Sequence, residues 1–171
     1  MSGHSKWSQI KHQKAVTDKK KSQLFSKLSK LISLAAKRGM NPQSNLELKS
    51  AIDNAKSYNM PNANVEKAIK RISDKSSCLE ELVVEAIGPG GIALKIRTIT
   101  DNHNRTINEL RNILTDHGSK MVPPGSIAWI FNQSQSQSDR VSSTESNQIT
   151  QLFEALDDHE DVEDVISNLK E

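Results

Sequence analysis

Lysine gives this chain its clearest chemical character, and the lysines are concentrated in the first half of the sequence. Residues 1–75 carry 16 Lys and Arg against 5 Asp and Glu, a net charge of +11, whereas residues 76–171 carry 7 against 16, a net charge of −9. A dense field of cations is what phosphate neutralisation requires, because the release of counterions drives such binding. The asymmetry therefore predicts two units with different partners, and a polyanion for the basic one.

Two histidines and a tryptophan lie among the lysines of the basic segment. We predict that nucleic acid is contacted by His4, Lys6, Trp7, Lys11, His12, Lys14, Lys19, Lys20, Lys27 and Lys30. A solvated helix face, an acidic protein partner and a membrane surface are the alternatives. Acidic residues are nearly absent here, so the segment lacks the i,i+4 pairs that make mixed faces merely soluble. Trp7 either stacks on a base or packs the segment onto the helices, and both interpretations stay open.

A first helix is predicted over residues 18–38, because its apolar residues recur at helical spacing. Gly39 and Pro42 then end it. On a helical projection the cations form a stripe beside the apolar one, so we expect one stripe to pack while the other presents charge. The members of the charged stripe are Lys19, Lys20, Lys27, Lys30, Lys37 and Arg38.

Two further helices complete a predicted three-helix domain. Ser44-Asn45-Leu46-Glu47 fits a capping box at the start of the second helix, and the third begins near Asn62. Short connections let the three helices bury one another's apolar stripes. We therefore predict a basic, helical nucleic-acid-binding domain with its linker over residues 1–77.

The second half of the chain begins with a predicted strand pair over residues 82–87 and 92–99. Gly88-Pro89-Gly90-Gly91 lies between the strands. We interpret it as a tight turn that needs positive φ, because a phosphate loop opens a helix and is followed by Lys-Ser or Lys-Thr.

Helices and strands then alternate to the end of the sequence. In order they are a helix closed by Gly118, a strand over 126–131, a flexible Ser/Gln-rich loop over 132–148, a helix from Ile149 and a strand over 162–166. The predicted fold class is α+β: a small three-helix basic domain, then an antiparallel-sheet domain of order β-β-α-β-α-β over residues 78–171.

No group of residues in the sequence predicts catalysis. Asp101, His103 and Arg105 stand at the start of a predicted helix, where capping is the main interpretation and an anion contact through Arg105 is the alternative. The acidic residues between 157 and 164 are interpreted as a solvated helix end. We therefore expect a protein that is not an enzyme, with Arg105 as an additional nucleic-acid contact.

Metal and cofactor sites are likewise not predicted. Cys78 is the single cysteine, which excludes an intramolecular disulfide and a cysteine-based zinc site. A site at His4 and His12 is disfavoured, and we expect no metal and no cofactor. No apolar run approaches the ~20 residues that span a bilayer, so no membrane association is expected.

Several motifs in register resemble the YebC/PmpR family. The first is Gly3-His4-Ser5-Lys6-Trp7, followed by Ile10-Lys11-His12 and Lys14. The later ones are Ala51-Ile52-Asp53, Asn59-Met60-Pro61, Glu66-Lys67-Ala68-Ile69, Gly88-Pro89-Gly90-Gly91, Thr100-Asp101-Asn102, Asn104-Arg105-Thr106 and Gly125-Ser126-Ile127-Ala128. Residues 1–131 are collinear with the family, and residues 149–169 resemble its last helix and strand. The resemblance adds Ser5 to the predicted contacts.

The resemblance implies a helical N-terminal domain beside an α+β domain in a cytoplasmic, non-enzymatic protein. Members of the family are described as DNA-binding transcriptional regulators. Others act on ribosomes and help elongation through difficult stretches such as prolines, and a mitochondrial relative activates translation of cytochrome c oxidase subunits. The family usually carries a further α/β domain before the last helix. Residues 132–148 stand in its place here, so we expect this third domain to be missing.

Our leading interpretation is a translation factor that associates with the ribosome through rRNA, because the basic segment has no recognition-helix signature and no dimer heptads. A DNA-binding transcriptional regulator that uses the same lysines is the alternative. The expected partner is nucleic acid, with no small-molecule substrate, and the expected state is a monomer.

Overall fold

The computed structural model describes residues 18–73, 78–131 and 142–169. These residues divide into two compact units. We call residues 18–80 with 99–102 the helical unit, and residues 81–98 with 103–169 the mixed unit. Within the described ranges, none of the helices has the length and apolar character needed to cross a bilayer.

Three helices form the helical unit: α1 spans Asp18–Ala36, α2 spans Leu46–Ser57 and α3 spans Asn62–Lys70. Apolar residues recur three and four positions apart in each helix, which places them on one side. The shared core includes Leu28, Ile32, Leu48, Ile52, Ala55, Val65 and Ala68. Burial of each Leu or Ile side chain contributes about 1.5–3 kcal/mol. The predicted three-helix arrangement is confirmed.

Asn45 joins the end of α1 to the start of α2. Its Oδ1 accepts a hydrogen bond from the Leu48 amide at 3.1 Å, which caps α2. Its Nδ2 donates to the carbonyl oxygens of Ala35 and Gly39, each at 2.8 Å. The predicted capping box on Ser44 is therefore wrong by one residue. A side-chain amide can satisfy backbone groups at both helix ends, whereas a hydroxyl has only one hydrogen to donate.

The mixed unit contains a four-stranded sheet with the strand order β3-β1-β2-β4. The strands are β1 (Glu80–Ile87), β2 (Ala93–Thr100), β3 (Lys120–Val122) and β4 (Val162–Ser167). β3 pairs antiparallel with β1, and β4 pairs antiparallel with β2. Leu94 and Ile96 are buried, whereas Lys95 and Arg97 between and after them are exposed. The predicted strand is confirmed, and it alternates at these four positions, whereas Ala93 and Ile99 are buried as well.

The turn between β1 and β2 has the backbone that its glycines predict. Gly90 and Gly91 have φ values of 68° and 74°, in the left-handed region that favours glycine. The Gly88 amide donates to the Ile92 carbonyl at 2.8 Å and closes the hairpin. A Cβ at Gly88 would lie 2.8 Å from Cγ1 of Ile92, so this position has no room for a side chain.

Three helices accompany the sheet: α4 spans His103–Asp116, α5 spans Ala128–Phe131 and α6 spans Ser143–Asp158. Leucines 110 and 114 of α4 pack with Leu152 and Phe153 of α6 in the same apolar cluster as the buried residues of β1 and β2. This arrangement confirms the α+β class with an antiparallel sheet.

The strand predicted over residues 126–131 is wrong, because α5 lies there and the third strand is at Lys120–Val122. β1 already pairs with this strand, with Glu85 opposite Val122. The alternation of apolar residues was misleading, since Ile127 is buried but Trp129 is 60% exposed. A run of six residues is too short to separate the two periods securely.

The loop predicted over residues 132–148 is wrong for residues 143–148, which belong to α6. The Ser142 hydroxyl accepts a hydrogen bond from the Glu145 amide, and the Glu145 carboxylate accepts one from the Ser142 amide at 2.8 Å. This capping box begins the helix despite the polar composition. Residues 132–141 lie outside the described residues.

Candidate nucleic-acid interface

Most of the predicted contact residues lie near the start of the chain, outside the described residues. They are His4, Ser5, Lys6, Trp7, Lys11, His12 and Lys14. Lys19 belongs to α1, but its side chain is also outside the described part. Of the remaining four, Lys20, Lys27 and Lys30 lie on α1 in the helical unit, and Arg105 lies on α4 in the mixed unit.

Lys27 and Lys30 are buried side chains, each 8% exposed. The expectation that the charged stripe of α1 presents all its cations is therefore wrong at these two positions. A buried ammonium group needs partners, because removing a charge from water is costly, and both lysines do interact with other residues. Periodicity assigns a residue to a side of a helix, but it does not show what covers that side.

The first turns of α1 carry more accessible cations. Lys20 is half-buried and Lys21 is exposed. The Nζ of Lys21 lies 5.8 Å from the centre of the Phe25 ring, a distance at which the ring face attracts a cation. This end of α1 therefore keeps positive charge at the surface.

The last cations of the stripe have partners within the helical unit. Lys37 donates to the carbonyl oxygen of Leu79, which follows α3 in the chain. Arg38 pairs with the carboxylate of Glu47 on α2. Both side chains remain exposed, and an exposed pair of this kind contributes only about 0–1 kcal/mol.

The rest of the helical unit adds cations that the sequence analysis did not select. The exposed ones are Lys49, Lys56, Lys67, Lys70 and Arg71. Over residues 18–73 there are 12 Lys and Arg against 4 Asp and Glu, a net charge of +8. These positions were missed because they are spread over residues 49–71 and do not form one run of cations. The signal that could have found them is the charge count over the whole half.

Arg105 is held in an ion-pair network inside the mixed unit. Its Nη2 lies 2.9 Å from Oδ2 of Asp161, and its Nε lies 3.8 Å from Oε2 of Glu109. The Thr106 hydroxyl donates to the same Asp161 oxygen at 2.6 Å. Because the Asp161 side chain is fully buried, these donors compensate a charge that would otherwise be very unfavourable. The role of Arg105 in binding stays a prediction, beside this structural one.

The interpretation of the acidic residues 157–164 as a solvated helix end is wrong for Asp161, which is buried, and for Glu163 and Asp164, which belong to β4 and are half-buried. Burial of this carboxylate depends on Arg105 and Thr106, which are 56 and 55 residues away in the chain. A sequence-local count of acidic residues cannot reveal such partners. One member of the acidic cluster is therefore a core residue.

His159 completes the network around Asp161. Its Nδ1 accepts a hydrogen bond from the Asp161 amide at 3.1 Å, so its proton is on Nε2, which donates to Glu109 at 3.0 Å. The ligand atoms of Glu109, His159 and Asp161 lie within 4.8 Å of one another, a spacing that could hold a metal ion. The hydrogen bonds already use both ring nitrogens, so we assign the cluster a structural role that links α4 to β4.

Two protein-family models match this chain. Residues 5–75 match the model described as the TACO1/YebC protein N-terminal domain. Residues 79–137 match the model described as the TACO1/YebC second and third domain. The boundary between the two matches lies just before β1.

Relatives with these domains are found in several bacteria. A probable transcriptional regulatory protein of Pseudothermotoga lettingae is 50% identical over 134 residues, which cover 77% of this chain and 53% of the relative. One from Trichlorobacter lovleyi is 44% identical over 158 residues, or 91% of this chain and 62% of the relative. The chain thus spans little more than half the length of these curated relatives.

A solved structure shares the fold. It is the crystal structure of a conserved hypothetical protein, Aq1575, from Aquifex aeolicus. The two chains are 26% identical and superpose with a TM-score of 0.83, covering 97% of each.

Proposed function

Because the chain belongs to the TACO1/YebC family, we propose that it is a non-enzymatic regulator of gene expression that works by binding nucleic acid. In this proposal it is a cytoplasmic translation factor that associates with the ribosome through rRNA and aids elongation at difficult stretches such as prolines. The regulatory part of the proposal is supported by relatives named probable transcriptional regulatory proteins.

The observation that carries the proposal is the uncompensated positive charge of the helical unit. Its net charge of +8 over residues 18–73 is displayed mainly by exposed side chains of α2, α3 and the ends of α1. Such a surface binds backbone phosphates by releasing counterions, and it reads little sequence. Structured RNA, recognised by shape and backbone, suits that chemistry.

The amino-terminal residues are further contacts in the proposal. Lys6, Lys11, Lys14, Lys19 and Lys20 contact phosphates. Around them, His4, Ser5, Trp7 and His12 shape the site. Lys27 and Lys30 support the site through the packing of α1, because their burial leaves little room for direct phosphate contact.

Co-sedimentation of the full chain with ribosomes over a series of salt concentrations tests the proposal. Six phosphate contacts give a log–log slope of affinity against salt of about −4 on single strands and about −5 on duplexes. The double reversal Lys11→Glu with Lys14→Glu should remove most of the binding. The matched control reverses Lys95 and Lys120, two exposed lysines of the mixed unit, and should bind like the wild type. Equal binding by all three proteins would contradict the proposal.

A DNA-binding transcriptional regulator is the second candidate, favoured by the names of the relatives, which are called probable transcriptional regulatory proteins. It requires a preferred duplex sequence, bound well above nonspecific affinity. Selection from random duplexes tests this directly. Recovery of one motif would favour DNA, and recovery of none would favour the ribosomal role.

A further inference from the structure

A groove runs between α2 and α3 in the helical unit. Its volume is about 570 Å³, within the range of small-ligand sites. One wall is the stripe Lys49, Ile52, Asp53 and Lys56 of α2, and the other is Asn62, Val65 and Glu66 of α3. Spacings of three, four and seven residues bring each set to one side of its helix.

The centre of the groove is apolar and its edges are polar. Ile52 and Val65 are buried, so they form a floor against which a flat ring can pack. Gln43 and Asn62 contribute side-chain amides at the edge of the groove, and these groups both donate and accept hydrogen bonds. This combination fits an aromatic heterocycle with a polar edge better than a purely aliphatic ligand.

A second depression adjoins the groove and is strongly cationic. It is lined by Lys67, Lys70 and Arg71 together with Glu66, and Glu66 belongs to both depressions. The three cations fall in the last turn of α3 and just after it. With Lys49 and Lys56, the joint rim has five cations against two acidic residues, Asp53 and Glu66. Charge complementarity therefore favours an anionic ligand over a neutral one.

We propose that this groove binds an unpaired nucleotide of a single-stranded nucleic acid. The base lies on Ile52 and Val65, and the flanking phosphates lie on the cations of the joint rim, Lys49 and Lys56 included. The inference rests on the proposed nucleic-acid-binding function and gives it a base-reading site. A duplex cannot use such a groove, because its bases are stacked and paired, whereas unpaired bases are free to enter pockets.

The two carboxylates set the base preference. Asp53 and Glu66 offer acceptors at the groove edge. A carboxylate accepts a hydrogen bond from the exocyclic amino group of cytosine, whereas uracil presents a carbonyl oxygen at the same position. The groove should therefore prefer cytidine to uridine by about tenfold, the discrimination typical of one good base contact.

Fluorescence anisotropy of labelled oligonucleotides with the full chain tests the site. The probes are oligocytidylate, oligouridylate, their deoxy counterparts and a blunt RNA duplex. The wild type should prefer single strands to the duplex, and cytidine to uridine. Asp53→Asn with Glu66→Gln should abolish the cytidine preference. Lys49→Glu with Lys56→Glu should weaken binding to all single strands by about a hundredfold, since two phosphate contacts are lost and two repulsions gained.

The control is again the double reversal of Lys95 and Lys120. It changes the net charge as much as the reversal of Lys49 and Lys56 does, and it should leave both the single-strand preference and the cytidine preference unchanged. Normal binding and base preference in both groove variants would overturn the groove while leaving the proposed function intact. If binding were lost only when Lys11 and Lys14 are reversed, the groove would likewise be overturned and the proposed function would stand. Failure of the wild type to bind any probe or ribosomes would overturn both. Equal affinity for RNA and DNA strands would support a groove that ignores the sugar, and RNA preference would support one that reads the 2′-hydroxyl.

Discussion

The two units of the molecule use charged residues in opposite ways. In the helical unit, 12 cations face 4 acidic residues over residues 18–73, and many of the cations remain exposed. In the mixed unit, Asp161 is drawn into the interior and compensated by Arg105 and Thr106. Excess charge at a surface favours a partner of opposite sign, whereas a buried, paired charge specifies internal structure. The two uses should respond differently to mutation.

Removal of the buried carboxylate should give the largest effect. Asp161→Ala leaves Arg105 and the Thr106 hydroxyl without their shared acceptor. We expect a loss of about 3–5 kcal/mol in the free energy of unfolding, because two hydrogen bonds to a charged acceptor are lost and each contributes about 1.5–3 kcal/mol. Urea denaturation measures it. Asp116→Ala, at an exposed helix end, is the matched control and should change stability by less than about 0.5 kcal/mol. Similar stability of the two variants would show that Asp161 is not a core residue.

Reversal of a buried and an exposed lysine should separate structure from binding within the helical unit. Lys30→Glu places a carboxylate where the fold holds a buried ammonium group, and it should destabilise by about 2–3 kcal/mol. Lys70→Glu changes an exposed side chain and should alter stability by less than about 0.5 kcal/mol. Thermal unfolding measures the stability of both variants, and fluorescence anisotropy measures their binding to labelled oligonucleotides. If Lys70→Glu unfolded the protein and Lys30→Glu did not, the assignment of Lys30 as a structural residue and of Lys70 as a surface residue would be wrong.

Loss of the bridge between α1 and α2 should give an intermediate effect. Asn45→Ala removes the α2 cap and two hydrogen bonds, one to the Ala35 carbonyl of α1 and one to the Gly39 carbonyl just after it. We expect a destabilisation of about 2 kcal/mol, since a cap contributes about 1 kcal/mol and the two carbonyls would lose their donor. Asn54→Ala, on the exposed side of α2, serves as the control. Hydrogen exchange at the ends of α1 and α2 would show whether both helices fray together.

The smallest effect concerns the capping box of α6 and depends on pH. Hydrogen bonds from the Ser142 amide and hydroxyl hold the pKa of Glu145 below its ordinary value of 4.5. The folded state thus binds this proton less tightly than the unfolded state, so the contribution is present at neutral pH and is lost as the pH falls through the folded pKa. Glu145→Gln should flatten that part of the stability profile below about pH 4.5. If the melting temperature of Glu145→Gln fell at acid pH as steeply as that of the wild type, the result would count against the cap.

Local periodicity predicted the three helices of the helical unit, α4 and the first strand pair, because their burial follows from spacing alone. Ile32 and Leu48 could be assigned to a core without knowledge of their partners. The third strand could not be placed, because β3 is chosen by pairing with β1 and has only three residues. The α6 start was readable in Ser142 and Glu145, but the polar composition around it concealed the capping box.

The candidate site was predictable in its charge and not in its geometry. The excess of lysine in the first half was plain, whereas the burial of Lys27 and Lys30 depends on neighbours that no spacing specifies. The groove shows the same limit. Its lysines and carboxylates recur at helical intervals, but the proximity of α2 and α3 arises only from tertiary packing.

The network around Asp161 also bears on how much an insertion would destabilise the mixed unit. It joins the entry of β4 to the start of α4, so it holds these two elements together independently of the connection between α5 and α6. When the ends of a loop are held in place, each doubling of its length adds only about 0.6 kcal/mol of closure entropy. An insertion in the connection between α5 and α6 should therefore cost little stability while this network holds α4 and β4 together.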